Sequence, residues 1–276
     1  MIGWFTDPFS NEFMVQALLA GILAVVTTSL IGTWVVLRGL SFMGDAMAHG
    51  VLPGIALAFI WDFNLTIGAV LSALVMIAGI EYVHRRARLS EDTAIGLLFV
   101  GMLALGVIIM SRAPSFAGSL TGFLFGNILA VGRAELVIQA LAACATALAV
   151  LVFYRPFLVL SFNEDKAEVL GMRPRVAHSV MLALLTLAIV TSFRVVGNLL
   201  VFGLLVAPAA TASLLVRRVP TMMVTAVAIG VASVTGGLLL TWYADTAAGA
   251  SIAGASVGLF FLVLVVRQLV SAIRRA

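Results

Sequence analysis

Long apolar stretches, each about the length of a membrane-spanning helix, recur along almost the whole chain, and polar residues are confined to the short gaps between them. The bilayer core is about 30 Å thick, so a crossing helix needs about 20 mainly apolar residues. Such stretches run approximately over 13–37, 42–61, 65–82, 93–110, 134–153, 176–193, 196–216, 221–243 and 253–270. That pattern predicts nine spans, or eight if one segment is re-entrant. The stretches are apolar on every face and do not alternate, which selects helices over membrane β-strands. The expected fold class is an all-α, polytopic transmembrane bundle forming a single domain over residues 1–276.

Composition excludes the soluble alternatives. Hydrophobic residues make up 63% of the chain and charged residues only 10%, with a mean hydropathy of +1.19; a soluble domain carries about 25% charged residues. The pI near 10 invites a nucleic-acid reading, but the positions of the basic residues point to topology. Arg38; Arg85, Arg86 and Arg88; Arg155, Lys166, Arg173 and Arg175; Arg217 and Arg218; and Arg267, Arg274 and Arg275 account for 13 of the 16. Cytoplasmic loops retain such charge. Nine crossings with the N-terminus outside and the C-terminus cytoplasmic place all of these groups on one side. Asp7 and Glu12 precede the first span without any basic residue, so it is expected to remain a span and not a cleaved signal. Cys144, the single cysteine, excludes a disulfide framework and reads as a small packing residue.

Against that apolar background, a few polar features stand out. Met43-Gly44-Asp45-Ala46-Met47-Ala48-His49-Gly50 places a carboxylate and an imidazole four residues apart, on one helical face. An ionisable group at membrane depth costs about 3 kcal/mol or more, so it is a functional candidate by default. Carboxylate plus imidazole suits a divalent cation such as zinc or manganese. One chain supplies only two ligands, and a symmetric second copy would complete a two-Asp, two-His set. A structural Asp–His contact and a proton relay remain the other uses of the pair. Proteolysis is unsupported: position 42 is Phe where an intramembrane aspartyl protease would need Gly, and no His-Glu-x-x-His is present. Met43 and Met47 read as packing residues, and His84 and His178 as solvated groups at cytoplasmic edges.

Three breaks are informative. Arg38 to Gly44 is a short connection with two glycines. The segment 115–132 is too short and broken to cross alone; Gly118, Gly122 and Gly126 give it a small-residue face. Asn127 at its end is a polar group expected to need a partner in a dry setting. The longest cytoplasmic loop holds 161–171, read as a short amphipathic helix with Asn163 as cap, Glu164 and Asp165 in its first turn, then Lys166, and Gly171 at its end. Pro208 is expected to kink its helix and free a carbonyl that Thr211 or a neighbouring helix satisfies. Glu91 and Asp92 read as caps of the next helix. The sole lysine, Lys166, follows Asp165, so no Walker A loop exists in this chain. ATP-driven transport would take its ATPase from another polypeptide.

Met43 to His49, continued by Gly50-Val51-Leu52-Pro53-Gly54, resembles the signature of the zinc/manganese ABC importer permeases. So do Glu91-Asp92-Thr93-Ala94-Ile95-Gly96, Leu124-Phe125-Gly126-Asn127-Ile128-Leu129 and Ala207-Pro208-Ala209-Ala210-Thr211-Ala212. The matches lie in the family's order between about Gly32 and Gly254. The resemblance implies a permease homodimer in the bacterial cell membrane, two cytoplasmic ATP-binding subunits and an extracytoplasmic metal-binding protein. It implies that Asp45 and His49 lie on the metal pathway, that 161–171 docks into the ATPase, and that the spans number eight. It implies no permanently bound cofactor; zinc, manganese and sometimes iron importers share these motifs, and the cargo is read as Zn2+ or Mn2+ with a slight lean to zinc. The competing functions are a proton-coupled secondary metal carrier and an ABC permease for a larger cargo such as a siderophore or cobalamin. No internal duplication supports the secondary carrier.

Overall fold

The computed structural model describes residues 7–87, 89–112, 126–162 and 172–273. Among them there is no strand, and the helices are α1 (Glu12–Leu37), α2 (Ser41–Gly50), α3 (Leu52–Ile60), α4 (Leu65–Ala87), α5 (Glu91–Met110), α6 (Arg133–Val152), α7 (Tyr154–Phe162), α8 (Pro174–Val196), α9 (Asn198–Leu215), α10 (Val219–Ala244) and α11 (Ala248–Ile273). Eight helical segments are long and apolar enough to cross a bilayer, with α2 and α3 together forming one of them. The ninth expected stretch is α9, whose apolar part, Val201–Leu215, is shorter. It is buried at Leu204, Leu205, Ala209, Thr211 and Ala212.

Two apolar cores are stacked along α1. Toward its C-terminal end, Ile31, Trp34 and Val35 pack with residues of α2, α4, α5 and α8. Trp34 is fully buried, edge-on to Tyr154 and Phe157 of α7 at 5.7 and 5.5 Å. Toward its N-terminal end, Met14, Ala17, Ala20, Ala24 and Val25 meet α9, α10 and α11. The two ends of the bundle differ in charge. Arg38, His84 and Arg175 come together at one end, and Val36 and Leu37 pack beside Val216, next to Arg217 and Arg218. At the other end Glu12 lies 3.6 Å from Arg133, and Phe13 stacks near Trp242. Several basic groups separated in sequence thus share one end, as the loop reading anticipated.

Lipid gives no hydrophobic drive for helix association, so backbones approach closely where side chains are small. At the crossing of α3 and α4, a Cβ on Gly54 would strike the Gly68 carbonyl, and one on Gly68 would strike the Gly54 carbonyl. Gly32 of α1 likewise faces the Leu205 carbonyl of α9 with no room for a Cβ. Cys144 is exposed on the outer face of α6, which corrects its reading as a packing residue. Its small side chain is apolar enough to face lipid.

A bulky residue at a glycine crossing should therefore separate two helices. We expect Gly54→Leu to destabilise the solubilised protein by about 1–3 kcal/mol or more. Gly101→Ala, where nothing lies within 4 Å of the added methyl group, should shift stability by less than about 0.5 kcal/mol. Thermal unfolding followed by size-exclusion chromatography checks both.

Candidate functional site

The site is built on a helix that breaks. Pro53 has no N–H to offer the His49 carbonyl four residues back, which leaves that carbonyl without its helical donor. The next carbonyl, Gly50, accepts a 2.7 Å hydrogen bond from the Ser72 hydroxyl of α4. The expected span 42–61 is therefore two helices meeting at Val51. A broken helix is tolerated at membrane depth when protein covers the freed backbone. Ser41–Ile60 is the most enclosed span, with 72% of it buried against 22% for Ala248–Ile273.

Asp45 is the fifth and His49 the ninth of the ten residues of α2, which puts His49 in its last turn. The helix C-terminus carries partial negative charge, which favours a cation beside its last turn. His49 Nε2 lies 3.7 Å from Asp45 Oδ1, and their side chains are 14% and 31% exposed. That separation is too long for a hydrogen bond. It is close to the span of two ligand atoms that each lie about 2.1 Å from one ion. Both groups keep a face open, whereas His49 Nδ1 is sealed within the chain without a hydrogen-bond partner. The imidazole meets the Phe99 ring of α5 edge-on at 5.4 Å, and Phe99 meets Phe42 at 5.7 Å. Phe99 thus packs against the imidazole, with Phe42 behind it. Met43 and Met47 are buried, as packing residues should be.

Among the described residues, no group of three or more His, Cys, Asp or Glu side chains gathers. Ser72 and Phe99 went unnoticed in the sequence because a serine and a phenylalanine within apolar helices carry no periodic signal. Only the crossing of α4 and α5 over α2 and α3 gives them a role.

The remaining candidates divide. Asn127 precedes the 3-10 turn Ile128–Ala130, is exposed, and makes no side-chain cap. The dry setting expected for it is corrected, because its neighbour Ile128 takes the buried position. Pro208 lies buried inside α9, which continues through it. Thr211 donates a 2.6 Å bond to the Ala207 carbonyl. The carbonyl deprived of its donor by Pro208 is that of Leu204, beyond reach of a hydroxyl that turns back one helical turn. The cap of α5 is Ser90, whose Oγ accepts from the Thr93 N–H at 3.2 Å. Glu91 and Asp92 are the first two residues of the helix instead. Asn163, Glu164, Asp165, Lys166 and Gly171 lie outside the described residues. His178 is more than a solvated edge group: its Nδ1 accepts from the Arg38 guanidinium at 2.7 Å.

A family model described as the ABC 3 transport family matches residues 10–267. A probable iron transport system membrane protein of Haemophilus influenzae is 38% identical over 91% of this chain and 93% of its own length. The manganese transport system membrane protein MntC of Halalkalibacterium halodurans is 36% identical over 94% of this chain and 89% of its own. Among solved structures, that of PsaBC from Streptococcus pneumoniae in complex with Fab includes a chain that superposes with a TM-score of 0.86. That chain is 34% identical, with 95% of each chain covered. The apolar spans and these bacterial relatives identify a multi-pass protein of the bacterial inner membrane. With its broken second span and its motifs in order from end to end, the chain belongs to the ABC 3 transport family.

Proposed function

We propose that this chain is the permease subunit of an ATP-driven importer that moves a divalent transition-metal ion into the cytoplasm, with Asp45 and His49 on the ion's path. The observation that carries the reading is the half-open Asp45–His49 pair on the first half of a broken span, inside an otherwise apolar bundle. The family and the relatives named for manganese and iron supply the cargo class. They move the choice of metal away from the slight lean to zinc and make manganese the first ion to test.

Each chain brings one carboxylate and one imidazole. A second copy facing the first would bring the same two and give a four-ligand set with a two-fold axis. A cation site on a transport route must also release its ion. A ligating imidazole normally anchors its second nitrogen to an acceptor. His49 Nδ1 has none, which weakens the hold and suits transit over storage.

The energy comes from a separate ATP-binding subunit. Residues 161–171, which begin in the last turn of α7 where Phe162 is exposed, dock that subunit and pass its movement to α8. The basic end faces the cytoplasm, with the N-terminus outside and the C-terminus inside, the shorter α9 crossing beside the eight long spans, and an extracytoplasmic binding protein delivers the ion to the opposite end.

Asp45→Asn and His49→Gln should each lower cellular manganese uptake by at least about tenfold while leaving the amount of assembled permease in the membrane unchanged. Normal uptake in both variants would remove the pair from the pathway. In competition uptake with the assembled complex, excess unlabelled manganese should suppress labelled manganese import more strongly than excess zinc. The reverse order would restore zinc as the cargo.

A further inference from the structure

A second polar feature lies at the basic end, away from the Asp45–His49 face. A cavity of about 380 Å³ opens where the ends of α1 and α4 meet the starts of α2 and α8, with Met43 of α2 in its wall. Its outer wall carries Arg38, Arg175, His84, His178 and one carboxylate, Glu81. One helical turn deeper, the wall turns apolar: Ile77 and Ile80 lie below Glu81 and His84 on α4, and Leu182 lies below His178 on α8.

The polar wall is held in place. Arginine is always protonated and can only donate, so His178 Nδ1 accepts from Arg38 at 2.7 Å. A carbonyl can only accept, so His84 Nδ1 donates to the Leu89 oxygen at 2.8 Å. Both rings are thereby oriented before any ligand arrives. Tyr82, on the same turn of α4 as Glu81, is exposed, as expected of an aromatic group at the membrane–water interface.

From this arrangement we propose that the cavity binds the headgroup of a membrane phospholipid. The phosphodiester lies against Arg38 and Arg175, the ammonium of an ethanolamine headgroup against Glu81, and the start of the acyl chains against Ile80 and Leu182. Basic pockets between transmembrane helices bind lipid phosphates in this way. The depth order separates a lipid from a free phosphate: a soluble anion has no use for the apolar turn beneath the charges. The carboxylate favours a headgroup that carries its own cation over a purely anionic one. The site joins α1, α4 and α8, so an occupied cavity ties the helix that follows the 161–171 loop to the helices that frame the broken span. The proposal does not depend on which ion is carried.

The test is native mass spectrometry of the whole complex reconstituted in nanodiscs of phosphatidylethanolamine and phosphatidylglycerol in equal parts. Wild type should retain phosphatidylethanolamine after release from the disc. Arg175→Glu, which reverses an exposed charge, should lower that retention by about tenfold without shifting the unfolding temperature of the complex, and Leu182→Trp, which fills the apolar turn, should lower it as far. Glu81→Gln should lower retention of phosphatidylethanolamine and leave that of phosphatidylglycerol unchanged, and excess inorganic phosphate should displace neither lipid. Equal retention by wild type and the first two variants, or no retained lipid in wild type, would overturn the site. Displacement by phosphate would make it a small-anion site instead. Unchanged phosphatidylethanolamine retention in the glutamine variant would overturn the headgroup assignment.

Discussion

A helix can break inside a membrane only where protein, and not lipid, covers the backbone groups that the break sets free. Much of this structure follows from that constraint. Pro53 and Gly50 end α2 one residue after His49, and the loosened carbonyls must be met locally. Ser72 meets the Gly50 carbonyl from α4. Ser72 reaches it because Gly54 and Gly68 let α3 and α4 cross without a Cβ between their backbones. The close crossing, the serine and the break form one unit, and its product is a helix C-terminus with an imidazole at its end. Elsewhere in a long apolar helix, the same imidazole would be a costly polar defect.

The rest of the bundle divides the work by depth. α1 runs between two apolar cores and fixes the distance between a basic end and an end that holds Glu12 and Trp242. α9 is short but deeply packed, and its Leu205 carbonyl rests against Gly32. Gly44 of α2 sits against the Leu205 side chain, so α1, α9 and α2 touch around one residue. A shift of α9 would therefore be felt directly at the helix that holds Asp45.

Much of this was legible in the sequence, for physical reasons that can be named. Span length is set by bilayer thickness, so apolar runs located the helices with errors mainly at their ends. The scarcity of charge isolated Asp45 and His49, since nothing else in that apolar run needed explaining. Less legible was whatever depends on two segments meeting. The break at Val51 was hidden because Pro53 sits within an otherwise continuous apolar run. Ser90, not Glu91 or Asp92, caps α5, because a hydroxyl in an extended N-cap reaches the Thr93 N–H. Asn127 was expected in a dry place because its neighbours are apolar, but a 3-10 turn directs Ile128 inward and leaves Asn127 exposed. Phe99, which packs against His49, looks like any phenylalanine facing lipid until α5 is laid across α2.

The claim on which the function rests is that a cation in transit binds through the His49 imidazole. Pulsed electron paramagnetic resonance on the manganese-loaded complex tests it most directly, because a nitrogen bound to Mn2+ leaves a hyperfine coupling that water and carboxylate ligands do not. The structure predicts an imidazole nitrogen coupling in the wild-type complex that disappears in His49→Gln and persists in His84→Gln. A coupling that survives in His49→Gln, or that is absent from a wild-type complex shown to hold manganese, would contradict it.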